Sequence, residues 1–145
     1  MYKHILIPTD GSDLANKAVE HGVLFAKEIG AKITAVMVTE PFHVVSIALN
    51  QLEYTRAEFK KHAEAHARKV LDSVSARAKS AGVACETLHA EHEQVYRAII
   101  DAAVAKGCDL ILMASHGRRG VSAVVLGSET VKVLTHSNIP VLVYR

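Results

Sequence analysis

Residues 113–130, MASHGRRGVSAVVLGSET, read as the end of a strand, a glycine-bearing loop and the start of a helix. Gly117, Gly120 and Gly127 punctuate the stretch, and Ser128 follows Gly127 directly. Backbone bared of side chains three times in one connection is either a set of turns or a cradle that lets main chain approach a ligand. The rest of the chain decides where that connection lies.

Working outward, the apolar period switches between strand and helix values. HILIPT (4–9) is a short apolar run that suits a buried strand, bounded by DGSD. Ala15, Ala18, Gly22, Phe25, Ala26 and Ile29 then share one helical face, with Ser12 or Asp13 as the start and Gly30 as the stop. KITAVMVT (32–39) is a second strand. Residues 40–53 form a long connection more apolar than a solvated loop. A helix follows from about Tyr54 to Ala81, with Ala63, Ala67, Val70, Leu71, Val74, Ala78 and Ala81 as its stripe. VACETLHA (83–90) is a third strand, and Val95, Ile99, Ala102 and Ala103 mark a third helix ending at Gly107. DLILMAS (109–115) is a fourth strand. A short helix from about Ser128 and a last strand in NIPVLVYR complete the order β-α-β-α-β-α-β-α-β. Strict alternation predicts an α/β fold with one doubly wound, five-stranded, mainly parallel sheet and helices on both faces, in a single domain spanning 1–145.

In open sheets of this kind ligands gather outside the carboxyl ends of the strands, where the winding reverses. If the fourth strand returns beside the first, the crevice lies between PTD (8–10) and MASHG (113–117), where the glycine stretch begins. Two phosphate motifs fail there. A P-loop needs a Gly-Lys pair, and none occurs; a dinucleotide fingerprint needs clustered glycines in the first strand–helix turn, and PTDGSD holds only Gly11. A different cradle remains: Gly117 for close approach, and the helix opened by Gly127 and Ser128, whose first N–H groups lack intrahelical partners and carry the positive end of the helix dipole. Ser128 and Thr130 add hydroxyls, and Arg118 and Arg119 add charge. The bland alternative, glycines for turns and Ser128 as a cap, stays open at this stage.

Composition narrows the rest. The 145 residues carry 17 basic and 15 acidic side chains, a formal net charge of +2, which gives no argument for nucleic acid or an anionic membrane. Cys85 and Cys108 are too few for a disulfide framework and read as reduced thiols of a cytoplasmic protein. No signal peptide or membrane span is expected. His62 and His66 lie four apart on a helix without an evident third ligand, and His89 and His92 at a strand exit are equally weak as a metal site. Asp10 has the chemistry of a base or a metal ligand, but no nucleophile–base pair accompanies it.

The residues resemble the universal stress protein family. Its nucleotide signature is Gly, two residues, Gly, nine residues, Gly-Ser/Thr. Here Ala114, Ser115-His116, Gly117, nine residues from Arg118 to Leu126, and Gly127-Ser128 keep the spacing, with Ala114 in place of the first glycine. ILIPTDGS and NIPVLVYR are similar to the family's opening and closing strands. The resemblance implies an adenine-nucleotide-binding Rossmann-like fold and ATP as ligand. Asp10 would meet the adenosine with Pro8 and Thr9 beside it, and Val38 would meet the adenine through its backbone. Met113, Ala114 and His116 would border the nucleotide. Gly117, Gly127, Ser128 and Thr130 would hold the phosphates, with the backbone N–H of Glu129. No metal ligand is expected from the protein, and Mg²⁺ or Mn²⁺ would ride on the phosphates.

The implied function is an ATP-binding stress-response or signalling module, at most a slow ATPase. The rival expectation is a nucleotide-free dimeric interaction protein of the same fold, using the apolar 40–53 segment toward a protein partner. A nucleotide-cleaving or adenylyl-transferring enzyme on a related fold is the third reading. The apolar last strand has no following element, so a homodimer through residues 139–145 is expected, as the family's habit also implies.

Overall fold

The computed structural model describes residues 1–42, 55–117 and 125–145. In chain order its elements are β1 (His4–Pro8), α1 (Asp13–Ile29), β2 (Lys32–Thr39), α2 (Arg56–Ala81), β3 (Cys85–Glu91), α3 (Val95–Lys106), β4 (Leu110–Ala114), α4 (Ser128–His136) and β5 (Val141–Tyr144). The strands join in one sheet of order β3-β2-β1-β4-β5. Every pairing in it is parallel, with Pro8 opposite Val36, Leu6 opposite Ile111 and Ala114 opposite Tyr144. The winding reverses between β1 and β4, which meets the condition that puts the crevice between those two strands.

Period-two burial splits the core into two layers. Ile5, Ile7, Ile33, Leu110 and Leu112 face α1 and α2, whose Ala18, Val23, Ala26, Ala67, Leu71 and Val74 pack on them. Leu6, Val36, Ile111 and Met113 face the opposite way, toward Ile99, Ala102 and Ala103 of α3 and Val133 of α4. Helix α1 lies close on the sheet because Gly22 has no side chain: a Cβ there would come within 2.5 Å of Ile7 Cδ1. No helix among the described residues is long and apolar enough to cross a membrane.

The element ends depart from expectation for local reasons. Helix α2 begins at Arg56 because Thr55 and Glu58 close a capping box, Thr55 Oγ1 accepting from Glu58 N and Glu58 Oε2 from Thr55 N, both at 3.2 Å. Strand β3 begins at Cys85, two residues late, because Val83 N still donates to Ala78 O in closing α2. The last strand shortens to Val141–Tyr144 because Ser137 Oγ holds Ile139 in a turn (Ile139 N donates to it at 3.0 Å) and Pro140 has no amide to pair. The expectations placed on 43–53 and on Arg118, Arg119 and Gly120 lie outside the described residues.

Candidate functional site

The loops leaving β1 and β4 meet across the crevice. Thr9 is buried and extends the β1 ladder, its N–H donating to Val36 O at 2.9 Å. Asp10 then turns the chain: its Oδ1 accepts from Ser12 N at 2.9 Å, while Thr9 Oγ1 accepts from Gly11 N at 3.2 Å. Gly11 takes a left-handed φ of 78°, and a Cβ there would lie 2.9 Å from Val70 Cγ2 of α2. This turn therefore needs glycine on two counts. Ser12 caps α1 by accepting from Ala15 N.

On the other wall, Met113 and Ala114 end β4, both buried. Ala114 sits in extended strand backbone opposite Tyr144, so a methyl group at this position causes no backbone strain. Ser115 is fully buried and holds both sides of the turn: its N–H donates to Tyr144 O and its carbonyl accepts from Gly127 N, each at 2.7 Å. His116 is half-buried, with Nδ1 3.2 Å from Ser115 Oγ. Gly117 faces Asp10, and any Cβ there would run into the Asp10 carboxylate. Gly127 packs on the same turn; its Cβ would stand 3.1 Å from His116 Cα and 3.2 Å from Ser115 O. Both glycines are thus where two chain segments touch.

Helix α4 opens from Gly127, which is extended (φ −62°, ψ 152°) and supplies no side-chain cap. The first bond of the helix is Val131 N to Gly127 O at 3.0 Å. The amides of Ser128, Glu129 and Thr130 precede it and lie at the positive end of the helix dipole. The Thr130 hydroxyl is committed elsewhere: it donates to Ala114 O at 3.0 Å, in a buried bond that ties α4 to the end of β4. What Thr130 offers a ligand is therefore its N–H.

Val38 completes the site through ladder parity. Lys32 and Val36 turn their peptide groups to β1, whereas Ile33 and Thr39 bond to Ala84 and His92 on the other side. Val38 has the parity of Val36 but lies beyond the final β1 pair, Pro8 with Val36. Its peptide groups point past the end of β1, over the crevice.

The family profile for the universal stress protein family matches residues 1–145. The chain belongs to the universal stress protein family. It is 31% identical over its full length to the whole of universal stress protein YxiE of Bacillus subtilis. The solved structure of MJ0577, a universal stress protein of Methanocaldococcus jannaschii, superposes with a TM-score of 0.83 at 27% identity, covering 99% of this chain and 95% of that one. At 17% identity and a TM-score of 0.67, a universal stress protein of Archaeoglobus fulgidus solved in complex with dAMP shares the fold, covering 99% of this chain and 98% of that one.

Within this universal stress protein fold the sequence-predicted residues converge: Pro8, Thr9, Asp10 and Val38 from β1 and β2, and Met113, Ala114, His116, Gly117, Gly127, Ser128, Glu129 and Thr130 from β4 and α4. His89 Nε2 is 2.8 Å from Thr39 Oγ1, and its ring lines an open depression of about 280 Å³ with Glu64, Arg68 and Asp72. Among the described residues no group of three or more His, Cys, Asp or Glu side chains could hold a metal ion. Sequence reasoning missed Ser115, whose backbone joins β5 to the mouth of α4. The Glu129 carboxylate turns from the crevice, as an acidic side chain beside phosphates must, but its partner, Tyr96 N of α3 at 2.9 Å, was not foreseen. A buried serine gives no periodic signal, and a contact over 33 residues leaves no spacing to read.

Proposed function

We propose that this crevice binds ATP and that the protein works as a nucleotide-operated stress-response or signalling module. The observation that carries the reading is the mouth of α4. Among the described residues no side chain caps the three consecutive amides that precede the first helical bond, and they lie beside two glycines whose replacement would fill the space with a Cβ. Oxygens of a triphosphate suit such amides, and charge-assisted hydrogen bonds contribute roughly 1.5–3 kcal/mol each. A few of them supply much of the ~8 kcal/mol of micromolar binding.

In this reading Asp10, with Pro8 and Thr9, meets the adenosine, and the Val38 backbone reads the adenine edge. Met113, Ala114 and His116 border the nucleotide. Gly117, Gly127 and the amides of Ser128, Glu129 and Thr130 hold the phosphates, with the exposed Ser128 hydroxyl as a further donor. Mg²⁺ or Mn²⁺ enters on the phosphates, an ion that keeps several waters and needs few protein ligands. The cradle supplies binding rather than a general base, so hydrolysis is at most slow. The nucleotide complex of the A. fulgidus relative supports an adenine nucleotide as ligand of the fold.

Denaturing the purified protein and analysing the supernatant should release adenine nucleotide. Calorimetric titration should give ATP heat with wild type and none with Gly127→Val. No nucleotide and no heat in the wild type would leave the dimeric interaction module of the same fold as the function.

A homodimer through 139–145 belongs to the same proposal. β5 ends the sheet with one neighbour, and Leu142 is 39% exposed on it. Truncating residues 140–145 should yield monomers or insoluble protein; unchanged dimers in light scattering would reject this interface.

A further inference from the structure

We propose that Glu129 is a positioning residue that couples the phosphate-binding mouth of α4 to the start of α3; this rests on the ATP reading above. The second residue of α4 faces two ways. Its amide is one of the three at the crevice, and its carboxylate bridges to the neighbouring helix.

Helix α3 starts without a cap of its own, since the Gln94 side chain makes no capping bond. Glu129 Oε2 fills that role across 33 residues, accepting from Tyr96 N at 2.9 Å. An N-cap oxygen ordinarily accepts from the second or third helical N–H, and Tyr96 is the second residue of α3. The other oxygen, Oε1, pairs with Lys132 Nζ at 3.4 Å. Lys132 Nζ also stands 5.7 Å from the centre of the Tyr96 ring, and the His136 ring packs on that ring at 5.2 Å. The first turn of α4 is therefore clamped to the first turn of α3.

The clamp has two consequences. It fixes the rotation of α4 about its axis, and hence the aim of the three amides. It also turns a carboxylate, which would repel phosphate, into the dipole of a second helix. Ordering the α4 turn by a nucleotide then protects the start of α3, and by reciprocity a loosened α3 start weakens nucleotide binding.

Two variants separate the bond from the charge. Glu129→Gln and Glu129→Ala both remove the negative charge, and the glutamine carbonyl still accepts from Tyr96 N. Calorimetry with ATP should show Glu129→Ala binding about 3- to 10-fold more weakly than Glu129→Gln, the usual size of a lost cap. Hydrogen exchange should show the Tyr96 amide slowed by ATP in wild type and Glu129→Gln, and unaffected by ATP in Glu129→Ala. Equal affinities for the two variants, or a Tyr96 amide indifferent to ATP in wild type, would overturn the coupling. A wild type without ATP heat overturns the ATP reading itself and this proposal with it, which is a distinct result. A merely structural role would lower the melting temperature of Glu129→Ala while leaving its ATP affinity equal to that of Glu129→Gln.

Discussion

At the amino ends of the strands, His4, Thr34, Glu86, Lys106 and Asp109 close a polar circuit; at the carboxyl ends, glycines and helix amides line a crevice. The circuit is complete in itself. Thr34, fully buried, donates its hydroxyl hydrogen to Glu86 Oε1 at 2.9 Å, so the His4 Nε2 at 2.7 Å is the donor to Thr34. Lys106 Nζ reaches Glu86 Oε2 at 3.2 Å. Asp109 accepts from the amides of Lys3 and His4 and returns its own N–H to His4 O. At the other end α4 starts from a residue with no side chain, and among the described residues no side chain caps its first amides. One sheet thus has an end closed by its own side chains and an end where backbone and glycines face a crevice. The difference follows from parallel winding, which sends the switch-point loops to the carboxyl side only.

The comparison predicts that the two ends fail differently. The largest effect is on binding: Gly127→Val should weaken ATP at least ~100-fold by calorimetry, because the added atoms occupy the mouth of α4 and crowd the backbone of His116. Overpacking there also costs about 1–3 kcal/mol of stability. Gly117→Ala sharpens the test. Among the described residues its Cβ meets the Asp10 carboxylate and no backbone, so the melting temperature should fall less than in Gly127→Val while affinity falls about tenfold, the size of one charge-assisted bond. Unchanged affinity in both would mean the glycines serve turns alone.

The amino end should behave in reverse. Thr34→Val strips His4 and Glu86 of their shared partner, and a buried group left unsatisfied costs about 1–3 kcal/mol. Chemical denaturation should show that loss, with ATP affinity within about twofold of wild type for sites this independent. A large change in affinity would show that the ends are coupled through the sheet.

Much of this contrast was legible in the sequence, and unevenly so. The period switches locate each strand and helix, and the switch-point rule brings PTD (8–10) and MASHG (113–117) together, where Gly117 faces Asp10. The amino-end circuit was not read at all: His4 and Thr34 sit inside apolar strands, and only the register of β1, β2 and β3 brings them to Glu86. The sequence suggests the Thr130 hydroxyl as a ligand donor, whereas the fold uses it to hold Ala114 O. Short polar side chains advertise hydrogen-bonding capacity, but their partners are set by tertiary packing.

Acid should expose the circuit next. Burial, with Lys32 nearby, holds His4 below its ordinary 6.5, against the opposing pull of Glu86, Asp109 and the Lys106 carbonyl. The unfolded chain therefore takes up this proton first. The His4 contribution is whole above about pH 6.5 and declines as the pH falls through the folded value. Asp109 is pushed up by burial, but the His4 and Lys3 amides outweigh that and hold it below 3.8. Glu86 is held below 4.5 by the Thr34 hydroxyl and then Lys106. Both carboxylates add stability at neutral pH that is lost as the pH falls through their folded values. Denaturation curves should show two acid-side declines, and His4→Gln should remove the upper one alone.

The smallest effect concerns the thiols. Cys108 is buried at the closed end, and burial pushes its thiol up to about 11. At neutral pH the thiolate, the reactive form, is then only about one part in ten thousand. Cys85 is half-buried on edge strand β3, and burial raises its thiol as well. A thiol reagent should therefore modify the native protein very slowly and both cysteines promptly once it is denatured. ATP should leave the native rate unchanged, because its proposed site lies at the other end of the strands. If the nucleotide slowed or sped labelling of Cys108, the closed end would be sensing the open one, and their independence would have to be given up.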